Sequence, residues 1–233
     1  MLSASKNVVK IWDVAGAERP RTLYGHKDYV YAVAMTPDGR TIVSGAYDKT
    51  IKVWDFASGE NRATLYGHNG RVNDLVISSD SRRAYSAAGD SLIIVWDIDQ
   101  QREYETLRGH TGEVHALALS HNDALLASAS YDHSIHIWQP DSGDLITTLS
   151  AHSKPITGVS FSADGRLLAT KSVDGTVRLW RCADWETVAV LAEPHSTFAF
   201  SGLAFQPGGS QLATLGEKDR VIRLWELNDD TWL

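Results

Sequence analysis

The chain has 233 residues, a net charge of −7, 43% hydrophobic residues and a single cysteine, Cys182. Lysine and arginine are scattered singly, so the basic stripe that nucleic acid needs is missing, and one thiol excludes an intrachain disulfide and fits a reducing compartment. No apolar run is long enough for a membrane span and the N-terminus lacks the cationic-then-apolar pattern of a signal peptide, so the expectation is one cytoplasmic domain that binds neither nucleic acid nor membrane.

Residues 1–24 read as part of a repeat: a piece of a second strand, a third strand over 8–12 ending at Trp12, and a fourth near 21–24. From there a Trp returns at a near-fixed interval, at Trp54, Trp96, Trp138, Trp180 and Trp225, with gaps of 42 residues up to Trp180 and then 45. Each follows a His, at His26, His68, His110, His152 and His195, by 28 residues four times and then by 30. The repeats run over 25–66, 67–108, 109–150 and 151–192, with a partial one over 193–233.

The repeat at 67–108 shows the strand pattern. Val72, Leu75 and Ile77 suggest a first strand, and Ser78-Ser79-Asp80-Ser81 a turn. A second strand runs from Arg83 to Ala88, and Gly89-Asp90-Ser91 turns the chain back. Residues 92–98 are apolar almost throughout, as in a strand covered on both faces. Arg102 to Leu107 alternates with polar residues and suits an outer edge. The other first turns are 36–39, 120–123, 162–165 and 206–209. No helix-period segment of useful length appears, so the class is all-β. A period in the low forties, with Gly-His near one end and Trp-Asp at the other, is that of a four-stranded antiparallel β-propeller blade. Four complete blades are expected, with a partial blade at each end.

Four polar or aromatic positions recur together. They are His26, Ser44, Asp48 and Trp54; His68, Ser86, Asp90 and Trp96; His110, Ser128, Asp132 and Trp138; His152, Thr170, Asp174 and Trp180; and His195, Thr214, Asp219 and Trp225. An indole N–H only donates, a hydroxyl accepts and donates, a neutral imidazole does both, and a carboxylate only accepts. Chained as Trp, Ser/Thr, His, Asp, every strong donor finds an acceptor, which predicts a buried network tying the second and third strands to the loop before the first.

On Gly25-His26, Gly67-His68 and Gly109-His110, and on Trp12-Asp13, Trp54-Asp55 and Trp96-Asp97, the sequence resembles the WD-repeat β-propeller family over nearly its whole length. That resemblance implies that the four positions form a structural hydrogen-bond tetrad. Ala151-His152 and Pro194-His195 lack the Gly, and Trp138-Gln139, Trp180-Arg181 and Trp225-Glu226 lack the Asp. These departures lie outside the tetrad. The last repeat, with Leu215-Gly216-Glu217-Lys218-Asp219, looks like bacterial WD-repeat sensor domains attached to signalling or defence ATPases and proteases.

A Ser-His-Asp hydrolase reading fails on counting, because five equivalent sets are not five active sites. His133 and His136 are expected to alternate on one strand, and His121 sits in a turn. No metal cluster, catalytic residue or cofactor site follows. Cys182, after a buried strand, is expected to be inert.

The ends pose a problem. The first blade lacks its inner strand and the last, ending at Thr231-Trp232-Leu233, lacks its outer one. A seven-bladed ring needs roughly 290–300 residues at this period. The favoured expectation is a piece of a longer protein; the alternative is an irregular six-bladed ring. An unclosed arc exposes strand edges and invites self-association.

Family resemblance places partner binding at the loops before the first strands and the turns between second and third strands. Position there and the enrichment of Tyr and Arg at hot spots single out Tyr29, Tyr31, Tyr47, Arg71 and Tyr131. Trp185 is expected to pack on an outer strand, and 194–205, with Phe198 and Phe200, forms an extended loop that departs from the repeat. The leading functional expectation is a non-catalytic platform for a protein or peptide ligand, the sensing propeller of a larger signalling or defence protein. A stand-alone scaffold subunit is the alternative. A propeller enzyme would need a non-repeated titratable cluster, and none is visible.

Overall fold

Every regular element among the described residues is a strand, as expected of short apolar segments separated by Gly-, Asp- and Ser-rich turns. The computed structural model describes residues 1–14, 19–193, 202–216 and 221–227. His195, Asp219, Lys218, Phe198, Phe200 and Trp232 lie outside the described residues. No helix among those described is long and apolar enough to cross a membrane.

The chain divides into two compact units, Met1–Arg108 and Gly109–Leu233. In the first, β1 (Leu2–Ser5), β2 (Val8–Ile11) and β3 (Arg21–Tyr24) form a three-stranded sheet. Then come two four-stranded sheets: β4 (Val30–Met35), β5 (Thr41–Ala46), β6 (Ile51–Asp55) and β7 (Asn61–Leu65), followed by β8 (Val72–Ile77), β9 (Arg83–Ala88), β10 (Ile93–Asp97) and β11 (Arg102–Leu107). In the second unit, β12 (Val114–Leu119), β13 (Leu126–Ser130), β14 (Ile135–Trp138) and β15 (Leu145–Leu149) make one sheet. The next holds β16 (Ile156–Phe161), β17 (Leu167–Ser172), β18 (Thr176–Arg181) and β19 (Thr187–Ala192). The last has three strands, β20 (Leu203–Phe205), β21 (Gln211–Gly216) and β22 (Val221–Glu226). Each sheet is antiparallel with neighbours in chain order, so each is one blade, and the fold class is all-β, built from propeller-type blades.

Burial grades across each full blade as the residues dictate. The second strands, small and apolar, are almost wholly buried, and β6, β10 and β14 are buried apart from a terminal Asp. The polar-alternating fourth strands β7, β11 and β15 are the exposed ones. The layers between blades hold the core. Trp54 packs with Val9, Ile11 and Leu23 of the preceding blade, and Trp96 with Val43, Ile51 and Val53 of the blade before it. Trp54 and Trp96 therefore each fasten two blades at once, at about 150–250 Å² of burial for such a ring. Gly67 is the position where that ring needs room: a Cβ there would stand 2.9 Å from the Trp96 ring.

Two details differ from the sequence reading. His133 lies in the turn before β14 with φ 70°, so only His136 is on the strand. The departing segment near residue 200 contains a short first strand, β20, ending at Phe205. Trp185 packs with Leu125 and Cys182 against the core of the second unit.

Candidate interaction face and the networks beneath it

The structure brings four of the five sequence-derived sets together. Trp54 Nε1 donates to Ser44 Oγ at 2.8 Å, Ser44 Oγ lies 2.8 Å from His26 Nε2, and His26 Nδ1 lies 2.9 Å from Asp48. The same chain runs Trp96–Ser86–His68–Asp90 at 2.8, 2.7 and 3.1 Å. It runs Trp138–Ser128–His110–Asp132 at 2.9, 2.7 and 2.8 Å, and Trp180–Thr170–His152–Asp174 at 2.9, 3.0 and 3.0 Å. Because a carboxylate only accepts, the His Nδ1 carries the proton and Nε2 accepts from the hydroxyl. Burial pushes His26, His110 and His152 below the ordinary imidazole value, with the Asp partner opposing it, so these rings are neutral links rather than cations. In the last blade Trp225 donates to Thr214 at 3.0 Å, while His195 and Asp219 lie outside the described residues.

Several members of these networks carry no repeated sequence signal strong enough to have named them. Ser3 accepts the Trp12 indole at 2.7 Å, a Ser–Trp pair in the first blade spaced nine residues apart instead of ten. Each Asp also accepts the backbone N–H after its His, from Lys27, Asn69, Thr111 and Ser153. Hydroxyls two residues on, Thr50, Ser134 and Thr176, donate to three of the carboxylates. Burial acts to raise the Asp132 carboxyl. The Ser134 hydroxyl, the Thr111 N–H and His110 outweigh it and hold the group well below the usual carboxylate range. Glu193 accepts the Thr214 hydroxyl and lies 3.8 Å from Lys171 Nζ, a buried ion pair that the repeat pattern does not announce.

His136 adds a second buried imidazole to one of these networks. Its ring stacks on His110 at 3.7 Å between centroids and 11° between planes, and its Nδ1 is buried without a hydrogen-bond partner among the described residues. Burial, then the neighbouring His110, push it down to about 4, with Asp132 opposing.

Above the networks, two backbone devices position the residues that face solvent. The residue before each Asp donates its N–H to the carbonyl three residues after the His: Tyr47 to Tyr29 at 2.7 Å, Gly89 to Arg71 at 2.8 Å, Tyr131 to Glu113 at 2.9 Å. Each full first strand also carries a register shift, which leaves Tyr31, Asn73, His115 and Thr157 out of the ladder. Bulges of this kind re-aim a side chain.

In the first unit these devices assemble one cluster. Tyr29, Tyr31 and Tyr47 are 58%, 52% and 40% exposed, far too open for core residues. The rings of Tyr31 and Tyr47 lie 5.8 Å apart. Arg71, from the next blade, sits 5.4 Å over the Tyr47 ring, donates to its hydroxyl at 3.2 Å, and donates through Nε to Asn73 at 3.0 Å. Tyr131 belongs to the second unit, where it stacks on His115 at 5.3 Å. No group of three or more His, Cys, Asp or Glu able to hold a metal occurs among the described residues. Burial pushes the Cys182 thiol up to about 12.

Blades of this strand order, four of them pinned by a Trp–Ser/Thr–His–Asp chain, define a repeat protein whose frame presents loops. The family described as WD domain, G-beta repeat matches residues 17–55, 59–97, 101–139 and 143–181, and the chain belongs to that family. Its members typically bind proteins or peptides and are typically non-catalytic. Among curated proteins the chain is similar to a B-type cell cycle switch protein, ccs52B, of Medicago truncatula, 44% identical over 46 residues, covering 20% of this chain and 10% of that protein. It is also similar to the WD repeat-containing protein srw1 of Schizosaccharomyces pombe, 44% identical over 45 residues, 19% of this chain and 8% of that protein. Each similarity spans about one repeat, a tenth or less of the relative's length.

Proposed function

We propose that this chain is a non-catalytic platform for a protein or peptide ligand, docked on the Tyr29–Tyr31–Tyr47–Arg71 cluster, and that it serves as the sensing propeller of a larger cytoplasmic signalling or defence protein. The observation that carries the reading is the cluster itself. The Tyr31 and Tyr47 rings and the Arg71 guanidinium, from two blades, touch one another, and exposed Tyr29 is tied to Tyr47 through its backbone carbonyl, all beside the buried networks. Pre-organised aromatic and Arg side chains lose little entropy on binding and supply most of the energy at interfaces. All the Ser, His and Asp groups with hydrolase-like geometry are consumed in structural chains, which favours binding over catalysis. The similarity to a cell cycle switch protein is confined to about one repeat, so it supports the blade and not a cell-cycle role.

Selection from a random peptide display library against the full chain tests this. Enriched peptides should bind the wild type and lose at least about tenfold in affinity to Tyr47→Ala, as expected of a hot-spot side chain. Binders that are indifferent to Tyr47→Ala and Arg71→Ala alike would remove the cluster from the function.

A further inference from the structure

Resting on that docking site, we propose that its ligand is an acidic peptide segment, one in which Asp and Glu flank an apolar or aromatic anchor. The protein as a whole is acidic, at −7, yet the cluster is ringed by cations: Lys6, Lys27 and Lys49 are exposed, and Arg71 is held over Tyr47. Lys6 and Lys27 line a surface hollow of about 230 Å³ with Asn7, Asp28 and Tyr29. The network carboxylates at this end, Asp48 and Asp90, are turned inward, whereas Asp28 lines the hollow with the two lysines. Asp28 accepts the Tyr29 N–H at 2.8 Å, Asp48 that of Lys27 at 2.8 Å, Asp74 that of Leu75 at 2.8 Å and Asp90 that of Asn69 at 2.6 Å. The side chains of Asp48 and Asp90 are only 8% and 10% exposed, against lysines standing in solvent.

The fold does not ask for these lysines. The position after the tetrad His holds Lys27 here but Asn69, Thr111 and Ser153 in the other blades. The position after the tetrad Asp holds Lys49 here but Ser91, His133 and Gly175 elsewhere, all with the same left-handed backbone. Lys49 is kept at φ 68°, where a glycine would be less strained. Cations gathered where the scaffold is indifferent, around aromatic rings, are complementary to an anionic chain with one apolar side chain to bury. Unit 2 presents Glu113, Tyr131 and His133 at the corresponding places and lacks that complementarity.

The test uses the full chain and fluorescence anisotropy with four labelled probes: short peptides sharing a central Trp flanked by Glu, by Ser or by Lys, and a short oligothymidylate. The Glu peptide should bind best and weaken with added salt. Lys6→Glu combined with Lys27→Glu should weaken it by at least about tenfold, and these exposed positions should leave the melting temperature in place. Equal binding of the Glu and Ser peptides without salt dependence, or preference for the Lys peptide, overturns the acidic ligand; if Tyr47→Ala still weakens the binding, the docking reading stands without it. Preference for the oligothymidylate overturns the peptide. If no probe binds, the docking site and the acidic ligand fall together.

Discussion

His136 offers a perturbation whose size can be worked through. Its ring is buried against His110 and takes a proton near pH 4 in the folded chain, against 6.5 for the ordinary imidazole. The unfolded state therefore binds more protons than the folded state between those values. The stabilisation is complete above about pH 6.5 and is lost as pH falls toward 4. Integrating the linkage between about pH 7.5 and about pH 5 gives a loss of about 2 kcal/mol from this group alone. The preceding blade places Ile94 at the corresponding position, so His136→Ile should fit the same space without the titrating ring. His26, His110 and His152 are also pushed down, so both proteins weaken in acid; the comparison isolates His136. Urea unfolding of wild type and variant at the two pH values is the assay. The wild type should lose about 2 kcal/mol more than the variant on acidification. Equal losses would refute the reasoning, because the buried imidazole stack would then cost nothing to protonate.

Three further outcomes follow from the same geometry. Asp132→Ala removes the acceptor of His110 Nδ1, the Thr111 N–H and the Ser134 hydroxyl, and should cost on the order of 1–3 kcal/mol in chemical denaturation; an unchanged midpoint would count against the network. Gly45→Ala puts a Cβ 2.4 Å from Val72 Cγ1 of the next blade, an overpacking that should cost about 1–3 kcal/mol and lower the melting temperature. The Cys182 thiol, pushed up to about 12, should react with iodoacetamide at neutral pH far more slowly in the native chain than in urea, followed by mass spectrometry.

The blades and the buried chains within them could be read from residue types alone because their signals repeat. A Trp every 42 residues, with a His 28 before it, fixes both strand order and the partners of each hydroxyl. What escaped has no side-chain signature. The register shifts that turn Tyr31 and Asn73 out of the ladder arise from one extra residue in the first strand, so that two residues there face one of the second strand. The bonds from Tyr47 N–H to the Tyr29 carbonyl and from Arg71 to Tyr47 connect loops whose approach depends on packing between blades. Ser3 was hidden because its spacing to Trp12 is one residue short, and Glu193 because it belongs to no repeated position. Of the five candidates chosen by type and place, Tyr31, Tyr47 and Arg71 meet side chain to side chain in unit 1, Tyr29 joins them through its backbone carbonyl, and Tyr131 instead stacks on His115 in unit 2.

Chemical-shift mapping on the isotope-labelled full chain, titrated with the Glu-flanked Trp peptide, bears on the central claim most directly. The account predicts the largest shifts at Lys27, Tyr29, Tyr31, Tyr47 and Arg71. Shifts centred on Glu113, His115 and Tyr131, or spread evenly over the fourth strands, would contradict it.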